Sequence, residues 1–237
     1  MADFTLIVTC EHGGNKIPQP YRHQFKKHAT VLNTHRSYDL GAMQTARLMA
    51  RRFNAPLFAA DTSRLLVDLN RSLGHPQLFS RMTRCLTDRQ KVQILRDFYA
   101  AHRNPIEDAV RKAIVSGLTV LHVACHSFTP ILKGCVRPMH IGLLYDPRRE
   151  AEKTLCRSWK RSMLEIEPDL KIRSNAPYKG VSDGLATYLR RQFPQGYLGI
   201  ELELNQDIFL KGEAQWRKLN ETVIEGLKSL TGIGKNA

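Results

Sequence analysis

Glu11 and His12 stand where an apolar run, "FTLIVTC" (4–10), gives way to two glycines in "VTCEHGGNKIP" (8–18). A second imidazole, His126, closes another apolar run, "LTVLHVACH" (118–126), and Ser127 follows it. Glu201 and Glu203 alternate with apolar residues in "GYLGIELEL" (196–204), so they share one face of a strand. The stretch "DTSRLLVDLNRS" (61–72) contributes Arg64, Asp68, Asn70 and Arg71. Two imidazoles and a carboxylate make a common catalytic zinc shell, with one coordination position left to water. Coordination brings the water's pKa towards ~7 and polarises a carbonyl. A free carboxylate nearby can carry the water's proton to a leaving amine. Arginine's planar fork suits bidentate capture of a carboxylate. Together these residues fit metal-assisted hydrolysis of an amide in an acidic substrate.

Each residue also has a plainer reading. His12 can cap its own turn, and His126 can be a hydrogen-bonded strand end. Glu201 and Glu203 can be the polar face of an edge strand. Asp39, four residues after His35, can serve as a helix N-cap or dipole partner. Cys10 and Cys125 end apolar runs and read as small buried hydrophobes rather than thiol nucleophiles. Ser127 lacks the GxSxG turn of a nucleophile elbow. No Walker A or GxGxxG pattern supports nucleotide use. His23, His28, His75, His102, His122 and His140 read as structural or exposed.

The elements that must position these groups alternate between two periods. Strands are expected at 4–10, 55–61, 118–126, 140–146, 170–175 and 196–204. Helices are expected at 39–53, 147–164, 182–193 and 213–230, with a long helical stretch at 88–116 that Pro105 breaks or kinks. This alternation predicts an α/β fold, three-layer α/β/α, with a mixed, mostly parallel central sheet. Ligands bind such sheets outside the carboxyl ends of the strands, and it is at those ends that His12, His126 and the Glu201–Glu203 pair fall. The glycines after His12 are expected to let the backbone turn close to a metal or substrate. One domain over residues 1–237 is the simplest organisation, with a frayed tail "TGIGKNA" (231–237).

Composition narrows the class. Of 237 residues, 42% are hydrophobic, which supports a folded core, and no apolar run approaches the ~20 residues of a membrane span. The N-terminus has no basic n-region and reads as a first strand, not a signal peptide. Five scattered cysteines without a CxxC suggest free thiols and a cytoplasmic setting. The net charge of +14 is dispersed over helix faces. It fits attraction of a small anionic substrate better than nucleic-acid binding, because no nucleic-acid signature accompanies it. A basic nucleic-acid- or anion-binding protein with weak or lost catalysis is the alternative reading.

Six ordered blocks then resemble one family. They are "CEHGGNKIP" (10–18), "HRSYDLGA" (35–42), "SRLLVDLNRS" (63–72), "HSFTP" (126–130) with "RPMHIGLLYD" (137–146), "NAPYKG" (175–180) and "IELELNQD" (200–207). The sequence resembles the N-formylglutamate amidohydrolases, a family that looks distantly similar to the zinc carboxypeptidases. The resemblance implies a zinc-exopeptidase-like domain, Zn2+ or another divalent metal, and hydrolysis of a non-peptide C–N amide bond. Its nominal substrate is N-formyl-L-glutamate, cleaved to formate and glutamate as in histidine degradation. By the resemblance, His12 and His126 are metal ligands, and Asn70 and Arg71 hold the substrate carboxylate. Arg64 is a second anion contact, Glu203 the general base and Glu201 its backup. The carboxypeptidases carry His-x-x-Glu at their first ligand pair, whereas here Asn15 stands in place of the Glu. Asp39 is therefore the preferred third ligand, with Glu11 and Asn15 as alternatives, and Asn15 is otherwise a substrate contact. "NQD" (205–207) stands where many relatives carry an arginine-containing run.

Overall fold

The structure is a computed structural model that describes residues 4–231. The N-terminal half runs β1 (Phe4–Cys10), α1 (Ala42–Phe53), β2 (Leu57–Ala59), α2 (Asp88–Ile94) and α3 (Ala101–Val115). Then come β3 (Thr119–Phe128), a small hairpin of β4 (Ile131–Leu132) and β5 (Cys135–Val136), β6 (Ile141–Leu144) and α4 (Glu150–Ile166). The chain continues through β7 (Ile172–Ser174), α5 (Leu185–Gln192), β8 (Tyr197–Asn205), α6 (Gln206–Leu210) and α7 (Glu213–Thr231). Six strands form one sheet in the order β2-β1-β3-β8-β6-β7. β2, β1, β3 and β8 run parallel, while β6 pairs antiparallel with β8 and β7 parallel with β6. The sheet is mixed and mostly parallel, as the alternating periodicity predicts.

Side-chain parity divides the sheet's two faces. Leu6, Val8, Leu121, Val123, Ile200 and Leu202 pack with α1, α4 and α7 in one apolar cluster. Ile7, Val120 and Tyr197 point the other way, against Ile106 and Val110 of α3 and Leu185 and Leu189 of α5. His122, His126, Glu201 and Glu203 belong to this second face by the same parity. The crossover from β1 through α1 leads to β2 on one side, whereas β3 lies on the other. The crevice between β1 and β3 at their carboxyl ends is therefore the topological switch point where such sheets bind ligands.

Several boundaries differ from expectation. The edge strand β2 is three residues long rather than seven, and β3 runs on to Phe128. α1 begins at Ala42, and its N-cap is Gly41 with φ +79°, so Asp39 does not cap it. A Cβ at Gly41 would stand 2.5 Å from Trp216 of α7, so this turn is held by close packing. The helix does not end at Pro105: it runs on through α3, and a widened π turn at Leu95–Ala100 precedes it. Proline lacks the N–H for an i→i−4 bond and crowds the carbonyl of Ala101, a strain relieved by local rearrangement rather than termination. A 3₁₀ segment at Gln19–Asn33 was not legible from periodicity. Residues 232–237 of the expected frayed tail lie outside the described residues.

The long connection from β2 to α2 is ordered by an apolar cluster of its own. Leu65, Leu66, Val67, Leu69, Leu78 and Leu86 pack on Tyr21 and Phe25 of the 3₁₀ segment and on Ile94. This satellite core carries the polar residues of "DLNRS" to the crevice.

Candidate metal centre

His12, Asp39 and His126 come together with one ligand atom each within 4.8 Å of the others, and all three are buried. They are contributed by the turn after β1, the loop before α1 and the body of β3. The loop before α1 is tied to the first turn by a backbone hydrogen bond from Asp39 N to His12 O, 2.9 Å. Asp39 Oδ2 lies 2.9 Å from His126 Nδ1 and 3.4 Å from His12 Nδ1. Both imidazoles thus turn the same nitrogen towards one carboxylate oxygen.

The far nitrogens are also held. His12 Nε2 donates to Asp68 Oδ1 at 2.7 Å, and Arg64 Nη2 donates to Asp68 Oδ2 at 2.7 Å. His126 Nε2 lies 3.1 Å from Oε2 of the fully buried Glu11. Imidazole, buried carboxylate and a further cation are the usual outer support of a histidine metal ligand: the carboxylate fixes the ring and leaves the other nitrogen for the metal. His12 Nδ1 is a buried nitrogen with no hydrogen-bond partner among the described residues, so it is free to ligate. The donor set of two imidazole nitrogens and one carboxylate oxygen fits a catalytic zinc shell.

Charge follows the same geometry. Burial opposes ionisation of Asp39, but His12 and His126 outweigh it and hold its carboxyl below the usual range. Burial likewise disfavours a charged His126, yet Asp39 and Glu11 raise its pKa well above the ordinary value. The surrounding carboxylates thus favour positive charge where the three ligand atoms converge. Glu203 sits directly opposite His126 in the β3–β8 register. Burial raises its pKa to about 8, against the pull of His126 and with the added charges of Asp39 and Glu201. Glu203 Oε2 has no hydrogen-bond partner among the described residues.

A cavity of about 230 Å³ opens over the cluster, lined by His12, Asp39, Arg64, Arg71, His126 and Glu203 among others. Phe128, Leu132 and Tyr178 form part of its wall. Arg71 donates one Nη1 hydrogen to Asp183 O at 2.6 Å, and its buried Nε lacks a partner among the described residues. Tyr99 Oη and Arg103 Nη1 both donate to Arg71 O, at 2.8 and 2.9 Å, and fix its backbone.

The remaining sequence candidates fall elsewhere or take other partners. Asn70 lines the cavity, but its amide donates to Glu201 Oε1 at 3.2 Å and its Oδ1 accepts from Leu185 N at 2.6 Å. Glu201 is thereby engaged beneath the cavity wall. Asn15 is turned away and donates to Leu32 O and Asn33 Oδ1 at the end of the 3₁₀ segment. Glu11 lies behind His126, outside the three-residue cluster. The glycines answer a different demand from the one expected. A Cβ on Gly14 would meet Asp61 O at 2.3 Å and one on Gly13 would meet Ala60 O at 2.8 Å, so they admit the chain leaving β2 rather than a ligand.

His102, which reads from sequence as structural or exposed, lies with its Nε2 3.7 Å from Glu11 Oε1. The signal was present, since His102, Ile106 and Val110 are spaced i, i+4, i+8 along α3 and the last two are fully buried. Cys10 and Cys125 are buried with thiol pKa values pushed up by burial, in keeping with small apolar side chains.

The N-formylglutamate amidohydrolase family model matches residues 4–210. A solved gene product, Atu2144 from Agrobacterium tumefaciens, is 27% identical, with a TM-score of 0.79 over 97% of this chain and 92% of that one. An N-formylglutamate amidohydrolase from Ralstonia eutropha JMP134 shares the fold at 14% identity, with a TM-score of 0.72 over 100% of this chain and 96% of the other. A metallo-carboxypeptidase from Pseudomonas aeruginosa is more remote, at 11% identity and a TM-score of 0.43 over 99% of this chain and 58% of that one. No curated protein matches the chain significantly in sequence.

Proposed function

The chain belongs to the N-formylglutamate amidohydrolase family, hydrolases of non-peptide C–N amide bonds, and on that premise we propose that it is a metal-dependent hydrolase of small N-acyl amino acids such as N-formyl-L-glutamate. The observation that carries the metal reading is the convergence of His12 Nδ1, His126 Nδ1 and Asp39 Oδ2, with each histidine's far nitrogen on a buried carboxylate. A divalent ion, zinc by its donor set, supplies Lewis acidity when bound: it polarises the acyl carbonyl and lowers the pKa of water.

The chain's own residues do the rest. Glu203, facing the cavity beside His126, would be drawn to its ionised form by a cation at the cluster; it then takes a proton from the attacking water and delivers it to the leaving amine nitrogen. Arg71 holds the substrate carboxylate through its uncommitted guanidinium edge. Its backbone is fixed by Tyr99 and Arg103, so the anchor is preorganised. Arg64 keeps Asp68 ionised against His12, and Asn70 ties Glu201 to the start of α5. All five cysteines are unpaired, which supports a reducing, cytoplasmic setting. Among the described residues, no helix is long and apolar enough to cross a membrane.

Turnover of a panel of N-formyl and N-acetyl amino acids by zinc-loaded protein tests this reading, alongside Glu203→Gln. The wild type should release free amino acid, and the variant should lose about 10²–10⁴-fold in kcat with KM little changed. Equal turnover by Glu203→Gln would remove this residue from the mechanism.

A further inference from the structure

We infer that His102 is a positioning residue for the metal cluster: it fixes the Glu11 carboxylate, and Glu11 in turn holds the ring of His126. This rests on the metal reading proposed above. Glu11 is fully buried, and its two oxygens face two different imidazoles. Oε2 lies 3.1 Å from His126 Nε2 and Oε1 lies 3.7 Å from His102 Nε2. Neither oxygen, nor His102 Nε2, has a hydrogen-bond partner among the described residues, so the two imidazoles are the groups that face this carboxylate. A carboxylate removed from water needs a donor at each oxygen, so His102 is the group that completes Glu11.

The fold brings His102 there for a packing reason. It lies one turn before Ile106 and two before Val110, the residues that seat α3 on Ile7 and Val120 of the sheet. The same helix stripe, carried towards the carboxyl end of β1, aims an imidazole at the residue that follows Cys10. The result mirrors the other ligand. Arg64 holds Asp68, which holds His12; His102 holds Glu11, which holds His126. Two carboxylate–imidazole arms approach the cluster, one backed by Arg64 on the "DLNRS" connection and one by His102 on α3.

The test is zinc affinity, measured by competition with a chromophoric chelator, for the wild type, His102→Leu, His102→Gln, Glu11→Gln and the His102→Leu/Glu11→Gln pair. His102→Leu should weaken zinc binding about 10–100-fold, the range seen when the outer partner of a histidine ligand is removed. His102→Gln, whose amide can still donate to Glu11, should recover most of that loss. Because His102 acts through Glu11, adding His102→Leu to Glu11→Gln should cost less than about threefold, a non-additivity that a general packing defect would not produce. Wild-type affinity in His102→Leu, or fully additive losses in the double variant, would overturn the inference while leaving the metal reading intact. Failure of the wild-type protein itself to bind zinc would overturn the metal reading and this inference together.

Discussion

His12 and His126 each use both ring nitrogens, and this division of labour decides which neighbours matter. The Nδ1 atoms converge with Asp39, and the Nε2 atoms face Asp68 and Glu11. The two histidines were legible in the sequence because each stands at the end of an apolar strand, where α/β sheets place ligands. Glu203 was legible by alternation with Leu202 and Leu204. The supporting carboxylates were not, because which oxygen meets which nitrogen depends on tertiary approach rather than spacing. Asn15 shows the converse: motif spacing marks it, but a turn that closes on the 60–62 backbone carries its side chain away. On the proposed function, Arg71 is the side chain left to hold a substrate carboxylate. Arg71→Met should raise KM for an N-acyl amino acid by ~10²-fold and leave kcat within a few-fold, as removal of uniform binding does. The same substitution should have little effect on an amide analogue lacking the carboxylate. Steady-state kinetics on the two substrates check this, and equal effects on both would place Arg71 elsewhere in the mechanism.

Among the elements, β3 carries the most chemistry, with His122 and His126 four residues apart on one face. His122 is fully buried between Thr9 Oγ1 at 2.8 Å and Tyr197 Oη at 2.6 Å. Burial lowers its pKa to about 4, from an unfolded value near 6.5, with Glu11 pulling the other way. The unfolded chain therefore binds the proton first. The neutral ring's contribution is complete above pH ~6.5 and is lost as pH falls towards ~4, a change of about 3 kcal/mol. Urea denaturation between pH 4 and 7 should show a shallower decline for His122→Gln than for the wild type, and parallel curves would show that His122 is not the titrating group. The core strands were legible as β-branched apolar runs. The 3₁₀ segment and its satellite core were not, because Tyr21, Phe25 and the leucines of 65–86 follow neither helix nor strand period. They order the connection that brings Arg64, Asp68, Asn70 and Arg71 to the crevice.

For the whole molecule, 36 Lys and Arg against 22 Asp and Glu leave a net charge of +14, while the His12–Asp39–His126 cluster itself gathers carboxylates. A cationic exterior around a small cavity would attract the proposed anionic substrate, and salt would screen that attraction. For an anionic N-acyl amino acid, kcat/KM should fall several-fold between about 0.01 and 0.3 M ionic strength, while a neutral amide analogue should show no such trend. A flat profile for both would show that the field plays no part in capture. The fold class was legible from alternating periods, and the antiparallel turn of β6 and β7 was not, since periodicity carries no strand direction. What remains decisive is the ion. Anomalous scattering at the zinc edge from crystals of zinc-loaded protein locates it and counts its ligands in one measurement. A single strong peak is expected about 2.0–2.2 Å from His12 Nδ1, His126 Nδ1 and an Asp39 oxygen. No peak there, or a peak bound by other side chains, would contradict the metal reading.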